Sequence, residues 1–279
     1  MIPQCKGKDL DNVPASKLLQ DGWYLTKKYD GNYVQIHKSP NEVKFFTSGG
    51  KEFYIPEIAE DLLNLSADSY ILECEYIGKS QGKLGDRVHA CKLTTYRTEF
   101  EKALVSKIGE DEKFIVFDII VPFATYPERE RSLNKLKLSK HFRKAVVFGP
   151  YSLEQAKDTA RSYAKQGDEG VYLKHSTHEQ LPGKRVNNAI KIKNRLTADL
   201  LCIDIIGGDG KYQGMIGSLV LQDSKGRVVS VGSGLSDNER NMPYDTFINK
   251  VIEIGYEQVI DTYIQPTYIR IREDKVEID

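Results

Sequence analysis

Short apolar runs rich in strand-forming residues, irregularly spaced and broken by only a few amphipathic helical patterns, extend the length of this sequence. Parallel α/β folds need strand and helix in regular alternation, so the irregular spacing points instead to antiparallel sheets and an α+β fold. Strands are predicted at 44–47, 70–77, 113–121, 144–148, 170–175 and 189–193. Helices are predicted at 56–65, 98–108 and 153–165, packed outside the sheets, with Ser152 and Gln155 in capping-box spacing before the last of them. After Lys193 the pattern changes to short strands separated by glycine turns at 207–210 and 232–234, with one helix expected at 243–253. Short strands with a single helix suit a small Greek-key barrel of the OB type. The chain of 279 residues is therefore read as a larger domain, 1–195, followed by a smaller one, 196–279.

Several function classes fall away early. The 40 basic and 40 acidic residues cancel, so global charge neither announces nor denies a nucleic-acid partner. Basic residues do cluster at 135–144 and 184–195, as phosphate contacts or as solvated charged faces. Cys5, Cys74, Cys91 and Cys202 are dispersed, which fits reduced thiols in a cytoplasmic protein. No apolar run approaches the roughly 20 residues that cross a bilayer, so no membrane partner is expected. A P-loop is missing, because Glu73 stands where the first glycine before Gly78-Lys79-Ser80 should be. No serine nucleophile elbow or zinc-protease helix appears, and His175 with His178 reads as two loop histidines.

What remains is a set of small motifs in order. Lys28-Tyr29-Asp30-Gly31 lies between two strand-like runs, where Asp-Gly is by itself an ordinary hairpin turn. Phe46 to Phe53 forms an aromatic strand and turn around Ser48-Gly49, and Glu73-Cys74-Glu75 ends an apolar strand. Phe117 precedes Asp118 in another, Glu169-Gly170-Val171-Tyr172-Leu173-Lys174 follows, and Lys191-Ile192-Lys193 puts two lysines on one face of a strand. Arg272-Glu273-Asp274-Lys275 comes last. Taken singly, Glu75 is a strand-end carboxylate, Phe117 a core aromatic, and Lys191 and Lys193 a solvated edge. Their order is what such readings leave unexplained.

In this order the motifs resemble those of the ATP-dependent DNA ligases, small phage-type members of the covalent nucleotidyltransferase superfamily, over nearly the whole chain. The resemblance implies an antiparallel-sheet, ATP-grasp-like nucleotidyltransferase domain followed by an OB-fold domain. It implies that Lys28 takes AMP from ATP, with Lys191 and Lys193 as further catalytic lysines. Lys27, Asp30, Gly31, Glu75, Phe117, Lys174, Arg272 and Lys275 would complete the nucleotide site, Phe117 stacking on adenine and Glu75 meeting the ribose. Glu169 and Glu75 would hold Mg²⁺ or another divalent cation. The expected substrate is nicked duplex DNA, bound by a monomer, with any replication or repair partner unspecified. Two family arginines are replaced, by Tyr33 and Ser48, and Ala189 stands where an aromatic residue usually precedes Lys-x-Lys.

The chemistry gives these residue types a reason. Lysine ordinarily titrates about 3 units above neutrality, so presenting a free amine costs about 4–5 kcal/mol at pH 7. Nearby cations disfavour the ammonium form and shield the phosphate under attack. An RNA ligase or capping guanylyltransferase uses the same covalent lysine and remains an alternative, as does a non-catalytic nucleic-acid binder built on the OB-type domain.

Overall fold

The computed structural model describes residues 1–19, 21–78, 81–83, 111–166, 168–193, 196–259 and 261–279. They divide into two compact units, Met1–Asn194 and Arg195–Asp279. The helix expected at 98–108 lies outside the described residues.

The first unit is built from Lys6–Asp9 (β1), Trp23–Lys28 (β2), Asn32–Lys38 (β3), Val43–Thr47 (β4), Glu52–Phe53 (β5) and Tyr70–Ile77 (β6). Then come Lys113–Ile119 (β7), Phe142–Lys144 (β8), Val147–Tyr151 (β9), Gly170–His175 (β10) and Arg185–Lys193 (β11). These form a five-stranded sheet in the order β1-β11-β10-β2-β9 and a six-stranded sheet in the order β5-β4-β3-β6-β7-β8. Pairing is antiparallel except for β1 with β11 and β7 with β8.

Each sheet has its own apolar core. Helix α1, Pro56–Leu65, buries Ile58, Ala59 and Leu62 against Val34, Ile36, Phe45 and Leu72 of the larger sheet. A helix missed in the sequence, α2 at Tyr126–Lys135, adds Leu133 to that core. Half of its residues are charged, which hides its periodicity, but Thr125 and Glu128 form a capping box and Pro127 sits in the first turn. Helix α3, Leu153–Lys165, turns Ala156 and Ala160 toward Trp23, Leu25, Val171 and Leu173 of the smaller sheet. Its capping box is formed, with Ser152 N donating to Gln155 Oε1 at 2.9 Å and Gln155 N to Ser152 Oγ at 3.3 Å.

The second unit contains Leu196–Gly207 (β12), Ile216–Gln222 (β13), Val228–Val231 (β14), Val251–Tyr256 (β15), Gln258–Val259 (β16), Tyr263–Ile264 (β17) and Thr267–Ile271 (β18). Its main sheet runs β14-β13-β12-β15-β18 around a core that includes Leu200, Leu219, Leu221, Phe247, Ile252 and Ile254. Among the described residues the edge strands β14 and β18 do not form a ladder, so the sheet is OB-like without being a closed barrel. The single bond from Tyr268 N to Ser233 O, at 2.8 Å, ties β18 to the turn after β14.

The helix expected at 243–253 is absent. A 3₁₀ turn occupies Tyr244–Thr246, and Asn249 takes a left-handed φ of 60° that ends it. Bonds of 2.9 Å from Asn249 N to Cys202 O and from Cys202 N to Lys250 O then pull the chain into β15. The β-branched residues Val251, Ile252 and Ile254 suit that strand better than a helix.

Candidate active site

Lys28 ends β2 in the smaller sheet, whereas Asn32 begins β3 in the larger one. The hairpin reading of Asp30-Gly31 is thus overturned: β2 pairs with β10 and β9, β3 with β4 and β6, and residues 29–31 carry the chain across. The crossing is tight. A Cβ on Gly31 would run into the Tyr76 carbonyl, so only glycine fits, and Gly31 N donates to Glu75 Oε1 at 3.2 Å. Asp30 is buried, and its backbone N donates to Gly82 O at 3.0 Å.

On the neighbouring strand Gly170 pairs with Lys28 on one side and with Lys193 on the other. Gly170 has a φ of 140°, and a Cβ there would overlap the Ile192 carbonyl. The close approach sets Glu169, 2% exposed, between two cations: it is ion-paired with Lys28 Nζ and lies 4.0 Å from Lys193 Nζ. Lys27 pairs with Asp168 at 2.5 Å, and Lys191 lies 3.6 Å from Asp9. Burial lowers the Lys191 pKa, Asp9 opposes that shift, and Lys193 adds to it.

Lys28, Glu169, Lys191 and Lys193 line a cavity of about 320 Å³ together with Lys27, Glu75, Phe117, Tyr172 and Lys174. Tyr172 was not singled out in the sequence, yet its ring lines the cavity and its hydroxyl accepts a bond from Gly7 N at 2.7 Å. Lys174 is committed beneath the cavity. Its Nζ donates to Phe117 O at 3.0 Å and to Asp118 Oδ2 at 2.7 Å. Arg129 holds the other side of Asp118, Nε to Oδ1 at 2.9 Å and Nη2 to Oδ2 at 3.1 Å. Burial alone would raise the Asp118 pKa, but Lys174 and Arg129 hold it well below the usual carboxylate range. Beside this group, burial pushes the His178 imidazole down to about 4, with Lys174 and Arg129 adding to the effect. His178, in the loop after β10, is therefore a buried partner of Arg129, while His175 ends the strand itself.

Tyr33, at a family arginine position, donates to Glu73 Oε1 at 2.7 Å, and Gln180 Nε2 donates to Glu73 Oε2 at 2.9 Å. Burial pushes the Glu73 carboxyl up, and Asp118 adds to the shift. A hydrogen-bond chain from Tyr33 through Glu73 to Gln180 thus stands where the arginine is expected. The second replacement, Ser48, sits in the exposed turn after β4, and Ala189 is fully buried in β11.

Glu75 reaches the cavity but lies deep in it. Burial pushes its pKa up to about 8, with Lys28 opposing and Glu169 reinforcing the shift. Among the described residues no group of three His, Cys, Asp or Glu side chains offers a metal cage. Mg²⁺ does not require one, since it keeps several waters and takes one or two carboxylates plus substrate phosphates. A buried Glu169 and a Glu75 whose proton a cation would displace fit that donor set. Arg272 and Lys275 belong to the second unit, where both bond to Asp199 and Arg272 also bonds to Asp274. Among the described residues no helix is long and apolar enough to cross a membrane.

Comparison with known proteins bears directly on this constellation. A model of the ATP dependent DNA ligase domain matches residues 11–193, and one of the DNA ligase OB-like domain matches 207–272. The DNA ligase of Methanococcus aeolicus is 28% identical over 251 residues, covering 84% of this chain and 44% of its own length. That of Methanocaldococcus jannaschii is 27% identical over 270 residues, covering 85% and 47%. This chain thus spans less than half the length of those two curated relatives. A solved Lig E DNA ligase is similar in fold, with a TM-score of 0.77 at 18% identity, over 98% of this chain and 100% of the other. The ATP-dependent DNA ligase of bacteriophage T7, solved with ATP, gives a TM-score of 0.54 at 12% identity, over 97% and 98%.

Proposed function

The chain belongs to the ATP-dependent DNA ligase family, and from that premise we propose that it seals nicks between a 5′ phosphate and a 3′ hydroxyl in duplex DNA. Lys28 Nζ attacks the α-phosphorus of ATP as the free amine, an N–P bond forms, and the P–O bond to pyrophosphate breaks. Glu169, already paired with that nitrogen, is the acceptor for its proton. A 5′-phosphate oxygen of the nick then attacks the same phosphorus, which releases the Lys28 amine and leaves a DNA-adenylate. Attack of the 3′ hydroxyl on the 5′ phosphorus expels AMP and closes the strand.

The other residues follow from their places. Lys193 and Lys191 face the α-phosphate, and the Lys191 pKa is lowered first by burial, with Lys193 adding to the shift and Asp9 opposing it. Phe117 and Tyr172 offer ring faces to the base, with Phe117 steadied by Lys174 through its carbonyl. Glu75 meets the ribose or the metal, and Arg272 with Lys275 is assigned to the leaving pyrophosphate. Glu169 and Glu75 would hold a divalent cation, which would supply charge neutralisation for that leaving group.

The observation that carries this reading is the Lys28 amine held against buried Glu169 at the cavity wall, with Lys193 Nζ 4.0 Å from the same carboxylate. Incubation with α-labelled ATP and Mg²⁺ is expected to label the protein covalently, and Lys28→Ala is expected to abolish the band. A wild-type protein that takes no label, or a variant labelled equally well, overturns the assignment. Labelling by GTP instead would point to a capping-type enzyme, and sealing of nicked RNA over nicked DNA to an RNA ligase.

A further inference from the structure

The second unit carries a compact cluster of carboxylates and basic side chains around Asp199 and Glu253, in which Arg270 pairs with Glu253 at 2.7 Å. Asp199 on β12 stands directly opposite Glu253 on β15, and both side chains are largely covered, 6% and 16% exposed. Facing carboxylates destabilise a strand pair unless cations are placed between them. Arg272 supplies one. Its Nη1 donates to Asp199 Oδ1 and Oδ2 at 3.1 and 3.0 Å and lies 3.8 Å from Glu253 Oε2. Its Nε and Nη2 go to Asp274 at 2.9 and 2.8 Å, so the whole guanidinium edge is oriented. Lys275 Nζ reaches the same Asp199 Oδ2 at 2.5 Å, although its side chain is 41% exposed and contributes little to packing.

Asp199 also fixes the segment beyond. Its backbone N donates to Asp279 Oδ2 at 2.7 Å, and its backbone O accepts from Asp279 N at 2.9 Å. At the other end Arg272 N donates to Val251 O at 2.8 Å. Residues 272–279 are thus anchored at both ends, with the Asp199 carboxylate bonded to both cations of the Arg-x-Asp-Lys motif.

We propose that Asp199 is a positioning residue for the ATP-dependent step, fixing Arg272 and Lys275 as a pair that receives the leaving pyrophosphate. This rests on the assignment of those two cations made above. Pyrophosphate leaves only during lysine adenylation, so the role is specific to that step.

The test compares wild type, Asp199→Asn, Arg272→Ala and the double variant, each in the full chain. Two rates are measured: Lys28 adenylation against ATP concentration, and sealing of a nick already carrying AMP on its 5′ phosphate. Asp199→Asn is expected to lower kcat/KM for adenylation on the order of tenfold, the scale of a lost charge-assisted hydrogen bond. Sealing of the pre-adenylated nick is expected to stay within about twofold of wild type, which also shows that the variant is folded. The double variant is expected to be no slower in adenylation than Arg272→Ala alone. Normal adenylation by Asp199→Asn while Arg272→Ala is defective overturns the positioning role and spares the assignment of Arg272. Normal adenylation by Arg272→Ala removes that assignment and this proposal with it. Equal loss of both steps in Asp199→Asn makes Asp199 a fold residue and overturns the proposal.

Discussion

Glu75 couples the cavity to solution pH. An unfolded chain releases its proton near the ordinary value of 4.5, while burial keeps it on the folded chain up to about 8. Between those values the folded state holds the extra proton, so this residue makes the fold less stable as pH rises. Glu75→Gln removes that dependence, and its melting temperature is expected to gain on wild type steadily from about pH 5 to about pH 8. A gap that stays constant across that range means that Glu75 titrates normally. At this scale the sequence was most legible where chemistry dictates residue type. Lys28, Glu169, Phe117, Lys191 and Lys193 were all nominated, and all line one cavity. Asp168, Glu73, Tyr172 and Gln180 were not, because their relevance comes from strand register and from partners far along the chain. Gln180, for instance, meets Glu73 across 107 residues.

Among the elements, α2 illustrates why polar helices escape a search for apolar periodicity. Only Tyr126, Arg129 and Leu133 are buried, and one of the three is an arginine. Its local signals, the Thr125–Glu128 box and Pro127, were present in the sequence and would have found it. What no local signal reveals is that Arg129 reaches from α2 to Asp118 on β7 and to the carbonyls of Ala124 and His178, at 2.8 and 2.9 Å. Arg129→Met would leave a buried carboxylate with Lys174 as its remaining cationic partner and strip both carbonyls of that donor. The expected loss is about 3 kcal/mol in urea unfolding, with weaker ATP binding because β7 also carries Phe117. A loss below about 1 kcal/mol would show that Lys174 alone satisfies Asp118. The misplaced helix at 243–253 has the opposite origin: composition allowed it, and anchoring of residues 249 and 250 to β12 decided against it.

For the molecule as a whole, the change to glycine-separated strands after Lys193 was visible in the sequence, and the chain divides there into units with separate cores. Leu72 and Leu219 are both fully buried, one in each unit. Truncating either to alanine is expected to cost its own unit about 2–5 kcal/mol. In calorimetry Leu72→Ala should move one unfolding transition and Leu219→Ala another, whereas a shared shift would mean that the units unfold as one. How the first unit distributes its site was not visible, because the sequence shows Lys28 and Asn32 as neighbours without showing that they belong to different sheets. That crossing has an evolutionary consequence. Lys28, the proposed nucleophile, ends a strand of one sheet and Glu75, which holds Gly31, lies on the other, so a substitution that shifts either core displaces one half of the candidate site against the other. Descendants of this chain should therefore tolerate change best in matched sets straddling the crossing, and two cores that pack separately are bound to diverge together.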